Sequence, residues 1–179
     1  EEDDEILDYG FRQLRERFYG AHPFAVSADG RVADLEALTL EDLRRFYQKV
    51  VTTQNLVISV CGDVDPEVLR ERMTPWFAEK LPQTSLDPVE AQYEGPSEAI
   101  REIVRMEREQ AVVLQAFPDV GVLHEHYVLS EVLNELFSGM SSQLFERVRE
   151  DKGMAYYVGS TRIVGLEQSM FVFYAGTHP

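Results

Sequence analysis

A proline-containing stretch at residues 81–98 divides this chain into two segments with different hydrophobic patterns. The stretch holds Pro82, Pro88 and Pro96, few apolar residues and no periodicity, which is typical of a linker. The sequence therefore predicts a first segment at residues 1–80 and a second at residues 99–179.

Three helices and one strand are predicted before the linker. Apolar residues recur at helical spacing over about 4–19, after an acidic start at residues 1–5. Thr39-Leu40-Glu41-Asp42 resembles a capping box, which predicts a helix to about Lys49. The apolar run 55–61 predicts a buried strand. Pro66 suits the first position of a helix that reaches about Glu79.

The second segment predicts strands on both sides of two helices. Residues 101–106 and 111–117 are predicted to pair as a hairpin around the polar turn 107–109. An apolar stripe at helical spacing predicts a helix over 129–137 that ends at Ser138-Gly139. The remaining predicted elements are a helix at 141–151 and strands at 156–164 and 169–175.

The composition excludes some classes of function. With 17 basic against 32 acidic residues, the chain lacks the positive surplus that attracts a phosphate backbone, so we expect no nucleic-acid binding. No apolar stretch is long enough to cross a bilayer, so no membrane association is predicted. Cys61, the only cysteine, lies in the apolar run and is predicted to be a buried core thiol. The absence of an initiator Met suggests that both ends are cuts within a longer protein.

One run of residues carries a family resemblance. The segment 141–156 reads Ser-Ser-Gln-Leu-Phe-Glu-Arg-Val-Arg-Glu-Asp-Lys-Gly-Met-Ala-Tyr. It resembles the Ser-Ser-x-Leu-Phe-x-x-x-Arg-x-x-x-Gly-x-Ala-Tyr signature of the insulinase/pitrilysin-type zinc peptidases. That family has two homologous α+β domains in each chain. The resemblance implies that residues 1–80 form the closing half of the first domain and residues 99–179 the opening half of the second, non-zinc domain.

The resemblance also implies the fold class. We expect an α+β fold with a mixed, largely antiparallel sheet and helices packed on one face. Because the two half-domains hold the parts of one domain in permuted order, strand 55–61 is further predicted to join the later strands. The result would be a single sheet of about five strands, formed within one chain or between two exchanging chains.

Arg149 and Tyr156 are the candidate substrate-binding residues that the resemblance implies. In active relatives, an Arg and a Tyr at this spacing reach across a closed chamber to the substrate on the zinc site. A guanidinium fork can hold a peptide carbonyl, and a phenol can donate to the oxyanion that develops when water attacks. The alternative is that Arg149 pairs with Glu146 or Glu150 on a solvated helix and that Tyr156 simply begins a strand.

No metal ligand is assigned to this chain. The His-x-x-Glu-His string, which would place two imidazoles and a carboxylate on one helical face, does not occur. His124 and His126 are predicted to lie at a solvated helix start and to point to opposite sides, so that they cannot clamp one ion. His22 is interpreted as a turn residue, and Asp63 with Asp65 as a helix cap. Zinc is expected only in the full-length parent.

These observations lead to one functional hypothesis and two alternatives. The chain is expected to be an inactive fragment of a zinc endopeptidase, catalytic only in its parent, whose partners are a peptide or unfolded polypeptide substrate and the rest of the parent chain or a homologous subunit. A homodimer is a further possibility. One alternative is a non-catalytic homologue, either a partner subunit or a structural core protein. The other is an acidic α+β interaction module unrelated to peptidases.

Overall fold

A computed structural model describes residues 5–84, 93, 95–96 and 98–179. The acidic run at residues 1–4 and most of the predicted linker lie outside the described residues. In chain order the elements are α1 (Ile6–Tyr19), α2 (Val32–Ala37), α3 (Leu40–Val50), α4 (Pro66–Lys80), β1 (Ala111–Val120), α5 (Tyr127–Phe137), α6 (Gln143–Phe145), β2 (Tyr157–Ile163) and β3 (Gln168–Thr177). They form two compact units, residues 1–28 with 91–179 and residues 29–90.

The larger unit is built on an antiparallel sheet with the strand order β1-β3-β2. Ala111 pairs with Thr177 at one end of β1, and Tyr157 pairs with Gly176 at the start of β2. Both neighbours of β3 are therefore antiparallel to it. This sheet, together with the helices around it, confirms the predicted α+β class.

Helices cover the sheet of the larger unit. On one face, Phe18 of α1 packs against Met170 and Val172, which are fully buried in β3. On the other face, Phe137 of α5 contacts Phe173, with ring centroids 5.2 Å apart. Alternation along β3 produces this division, because even-numbered and odd-numbered side chains point to opposite faces. The prediction that helices pack on one face only is therefore wrong. The sheet thus holds α5 in a fixed position immediately before the signature segment.

Several predicted helix boundaries are confirmed by their caps. Thr39 and Asp42 form a reciprocal capping box at the start of α3. These bonds stabilise the carboxylate and lower the pKa of Asp42. Asp65 accepts hydrogen bonds from the backbone N–H groups of Glu67 and Val68 at the start of α4. Gly139, at φ 78°, follows the end of α5.

The smaller unit holds α2, α3 and α4 together with the segment 56–61. Thr53, before this segment, donates its backbone N–H to the carbonyl of Pro82, after α4, at 3.0 Å. An open, mostly apolar groove of about 560 Å³ lies between the segment and α4, lined by Leu56, Ile58, Leu69, Met73 and Phe77 among others. The predicted apolar face of α4 therefore borders a groove rather than a closed core.

The predicted strand at 55–61 is wrong for this chain. Leu56 has an extended backbone, but residues 56–61 form no ladder with any described strand. Val57 is 94% exposed, and Cys61 is exposed rather than a buried core thiol. Apolar, β-branched composition favours a strand, but a strand forms only where a neighbouring strand bonds its N–H and C=O groups. The predicted single five-stranded sheet within one chain is wrong for the same reason.

The predicted hairpin at 101–117 is also wrong. Residues 101–110 are irregular, and β1 is paired with β3 instead. The turn 107–109 lacks the Gly or Asn residues that tight hairpins favour. Glu102 instead accepts a two-pronged hydrogen bond from Arg17 of α1, at 2.7 and 3.1 Å, so this stretch is held to a helix. None of the described helices is long and apolar enough to span a bilayer.

Candidate functional site

The signature segment begins with a serine cap. Ser142 is 5% exposed, and its Oγ accepts a hydrogen bond from the backbone N–H of Phe145 at 3.1 Å. This bond satisfies one of the N–H groups that a helix start leaves without a partner. The buried serine therefore has a structural role, which is to fix where α6 begins.

A π-helical turn, Glu146–Glu150, continues α6. The Asp151 N–H donates to the Glu146 carbonyl at 2.8 Å, a bond across five residues. Such turns are rare and often occur at functional sites. Arg149 lies in this turn, so the candidate guanidinium extends from an irregular stretch of helix.

The spacing from Arg149 to Tyr156 is set by an αL C-cap motif. The Met154 N–H donates to the Val148 carbonyl and the Gly153 N–H to the Arg149 carbonyl, both at 3.0 Å. Gly153 has φ 59°, the left-handed conformation that this motif requires and that glycine adopts without steric cost. The Arg-x-x-x-Gly part of the signature therefore encodes a helix stop.

The chain then enters the sheet at Tyr156. Its backbone N–H donates to the Gly176 carbonyl at 2.8 Å, and the Thr177 hydroxyl donates to the Met154 carbonyl at 2.7 Å. These two bonds tie the end of the turn to β3. The next residue, Tyr157, faces Tyr174 at 6.3 Å between ring centroids, and burial raises the pKa of the Tyr157 hydroxyl.

Both candidate side chains are exposed. The Arg149 side chain is 45% exposed, and Tyr156 is 51% exposed. Among the residues that the structure describes, the Tyr156 hydroxyl makes no hydrogen bond. The nearest carboxylate oxygen to Arg149, Glu150 Oε1, lies 3.9 Å from Nε. An exposed guanidinium therefore lies before the hydrogen-bonded turn at Gly153, and an exposed phenol lies after it.

The histidine cluster differs from its predicted geometry. His124 and His126 precede α5 rather than lying within it, and their ring centroids are 5.2 Å apart. The prediction that they point to opposite sides is therefore wrong. His124 Nδ1 accepts the His126 backbone N–H at 3.1 Å, as in a turn. Within residues 5–84, 93, 95–96 and 98–179, no group of three or more His, Cys, Asp or Glu side chains could hold a metal.

A buried ionic cluster between α5 and the sheet is absent from the predictions. The side chain of Arg162 is 3% exposed, and its Nε donates to Asp119 Oδ2 at 2.6 Å. It also donates to Glu131 of α5 and, at 3.1 Å, to the Val120 carbonyl. The Ser130 hydroxyl donates to the same Asp119 carboxylate. The sequence carries one signal of this cluster, an arginine that is the only charged residue of its strand.

Comparison with known families assigns the chain. The family described as "Peptidase M16 inactive domain" matches residues 37–179, which include the whole signature segment. The chain belongs to the peptidase M16 inactive domain family. The predicted insulinase/pitrilysin-type membership is thereby confirmed, and the match covers the Ser142 cap, the π turn and the αL C-cap motif described above.

Relatives of this M16 chain include proteins named as zinc proteases. It is 31% identical over 168 residues to the uncharacterized zinc protease YmxG of Bacillus subtilis, covering 92% of this chain and 39% of that protein. An uncharacterized zinc protease of Streptomyces coelicolor is 32% identical over 159 residues, 84% of this chain and 34% of that protein. A probable inactive metalloprotease of Bacillus subtilis, YmfF, is 26% identical over 88% of this chain and 37% of that protein. The M16 chain therefore spans less than half of these relatives.

Solved structures share the fold. A peptidase M16 inactive domain from Pseudomonas fluorescens matches with a TM-score of 0.80 at 24% identity, covering 99% of this chain and 43% of that one. A protease from Helicobacter pylori matches with a TM-score of 0.81 at 22% identity, covering 99% and 44%. At these identities the likeness concerns the fold alone. The likeness in fold extends over 99% of the sequence in both comparisons.

Proposed function

We propose that this chain contributes substrate-binding residues to a zinc-dependent endopeptidase and has no zinc site of its own. The observation that carries the proposal is the display of Arg149 and Tyr156, both exposed, on a turn fixed by the αL C-cap motif and by two bonds to β3. A turn with a fixed backbone limits where its two side chains can reach, which favours the positioning of a peptide. The family match supports a peptidase context.

The two residues would have different roles. The Arg149 guanidinium offers several N–H donors, which can hold a peptide carbonyl on the substrate. The Tyr156 hydroxyl can donate to the oxyanion that forms when water attacks the scissile carbonyl. The described residues hold no candidate metal cluster and so do not fit zinc. The names of the relatives support zinc in the parent, outside this chain.

The partners follow from the same proposal. Residues 1–80 would be the closing half of a first domain and 99–179 the opening half of a second. The chain spans 39% of the YmxG relative. We take the rest of such a parent chain, or a homologous subunit, to be what covers the exposed segment 56–61 and the groove beside α4. In the other arrangement, a homodimer, a second copy of this chain covers these surfaces. The molecular mass of the isolated chain, measured by sedimentation, distinguishes the two arrangements.

A non-catalytic homologue is the second candidate function. It is favoured by the likeness to the relative named as a probable inactive metalloprotease, at 26% identity. The two candidates differ in one readable feature of the parent. A His-x-x-Glu-His string with a downstream Glu in the parent sequence selects the peptidase, because those residues bind zinc and activate water. Its absence selects the non-catalytic homologue.

The isolated chain is expected to bind no stoichiometric zinc and to hydrolyse no peptide. Zinc sites in proteins use three or four His, Cys or carboxylate ligands, and no group of three is present in the described part of the chain. Elemental analysis after exhaustive dialysis, with a fluorogenic peptide assay, measures both properties. One tightly held zinc per chain would contradict this expectation.

Replacing Arg149 with alanine in the full-length parent tests the binding role. The change removes charge-assisted hydrogen bonds to substrate, so kcat/KM should fall by about 10- to 100-fold, with KM raised and kcat lowered. Arg147→Ala is the matched control, since Arg147 is an exposed arginine in the same π turn. Equal kinetics for the two variants would show that Arg149 is an ordinary surface residue.

A further inference from the structure

The Arg149 guanidinium lies over an aromatic ring. Its Cζ is 4.9 Å from the centroid of Phe145, four residues earlier in the chain. Residues at this spacing share a helix face, so the signature itself, with Phe and Arg four positions apart, produces the stacking. A cation at this distance from a ring is attracted by the negative face of the π system.

Phe145 is itself held in place. Its backbone N–H is bonded to the Oγ of the buried Ser142, and its side chain is half-buried. The ring therefore belongs to the fixed start of α6, whereas Arg149 lies in the π turn that follows. A series of contacts connects the serine cap to the ring and the ring to the guanidinium.

The ring holds the guanidinium without occupying its hydrogen-bond donors. Arg149 donates no hydrogen bond to any residue that the structure describes, so its N–H groups stay available to a ligand. The other neighbour, Glu150 Oε1, lies 3.9 Å from Nε, beyond hydrogen-bond distance, on a solvated surface where ion pairs are weak. The geometry is what a substrate-binding arginine needs, namely a fixed orientation with free donors.

We propose that Phe145 is a positioning residue that orients the Arg149 guanidinium toward a peptide carbonyl of the substrate. This inference rests on the proposed function of Arg149. An exposed cation–π contact of this kind corresponds to about a two- to fivefold effect. Phe145→Leu in the full-length parent should therefore raise KM by about two- to fivefold, because the arginine must be ordered during binding.

The aromatic variants separate positioning from packing. Phe145→Trp and Phe145→Tyr keep a ring under Arg149 and should keep KM near that of the parent, whereas Phe145→Leu keeps an apolar side chain and loses the ring. If either aromatic variant folds and has the same KM as Phe145→Leu, the stacking has no role and the proposal is wrong. Using two aromatic variants keeps the test decisive if one of them fails to fold.

A double-mutant cycle completes the experiment. In the Arg149→Ala background, Phe145→Leu should leave KM unchanged, because there is no guanidinium left to orient. An effect that persists in that background assigns Phe145 to helix packing and overturns the proposal. If Arg149→Ala impairs the enzyme but Phe145→Leu does not, only the positioning role falls. If Arg149→Ala leaves KM and kcat unchanged, the proposed substrate-binding function is wrong, and the positioning role of Phe145 is wrong as well.

Discussion

Replacing Arg162 with methionine is expected to destabilise the larger unit by about 3–5 kcal/mol, the usual cost of removing one partner from a buried ion pair. Arg162 donates to Asp119, to Glu131 and to the Val120 carbonyl while its side chain is only 3% exposed. Methionine fills much of the space but leaves the Asp119 carboxylate, 8% exposed, without its cation. The uncompensated buried charge, rather than lost packing, causes the effect.

The measurement must report on the sheet. Trp76, the only tryptophan, lies in α4 of the smaller unit, so its fluorescence does not follow the larger one. Amide hydrogen exchange along β3 reports on the stability of the larger unit.

Arg70→Met is the matched control, because Arg70 pairs with Glu67 on an exposed helix surface and should change stability by less than about 0.5 kcal/mol. Combining Arg162→Met with Asp119→Asn should recover part of the loss. Unchanged β3 protection in Arg162→Met would contradict the expectation.

Tyr156→Phe in the full-length parent is expected to lower kcat by about 100-fold and to change KM little. The substitution removes a single hydroxyl and keeps the ring, so binding contacts made by the ring persist. A donor that bonds the oxyanion acts in the transition state more than in the bound ground state, which is why turnover falls more than affinity.

Tyr157→Phe is the control for this experiment. Tyr157 is the adjacent tyrosine, its ring packs beside Tyr174, and burial raises the pKa of its hydroxyl, so it reports on general effects of losing a phenol at this turn. Steady-state kinetics of both variants on one peptide substrate give the comparison. If kcat of Tyr156→Phe matches that of the parent, Tyr156 is a residue that merely begins a strand.

The helices could be predicted from sequence because their signals are local. The capping box at Thr39, the Asp65 cap and the stop at Ser138-Gly139 each act within four residues of the helix end. Strands 111–117, 156–164 and 169–175 were also predicted, with ends shifted by a few residues. The exceptions were helix α2, which was not predicted, and the strands predicted at 55–61 and 101–106, whose composition favours extension. A strand requires a neighbour, and composition does not specify which segment supplies it.

The candidate site, like the fold, could be predicted from sequence only where its signals are local. Arg149 and Tyr156 were predicted from the signature, and their roles stay a prediction. The backbone hydrogen bonds that fix the turn between them, from Gly153 and Met154, follow from the same stretch of sequence, since Gly at this position favours an αL C-cap. The Arg162 cluster could not be derived, because Asp119 lies 43 positions away along the chain. Its partners meet only after the strands have paired.

The order β1-β3-β2 leaves one side of β1 without a strand among the described residues. The Gly121 N–H donates to the Glu167 carbonyl. In an antiparallel ladder with this register, the backbone N–H and C=O groups of odd-numbered β1 residues point toward β3, and those of even-numbered residues point toward the open edge. Pro118 is one of the outward residues and has no N–H to offer. A foreign strand docking along this edge would find donors at Val112, Leu114 and Ala116 but none at Pro118. The proline thus acts as a gatekeeper against edge-to-edge aggregation at that end of the sheet.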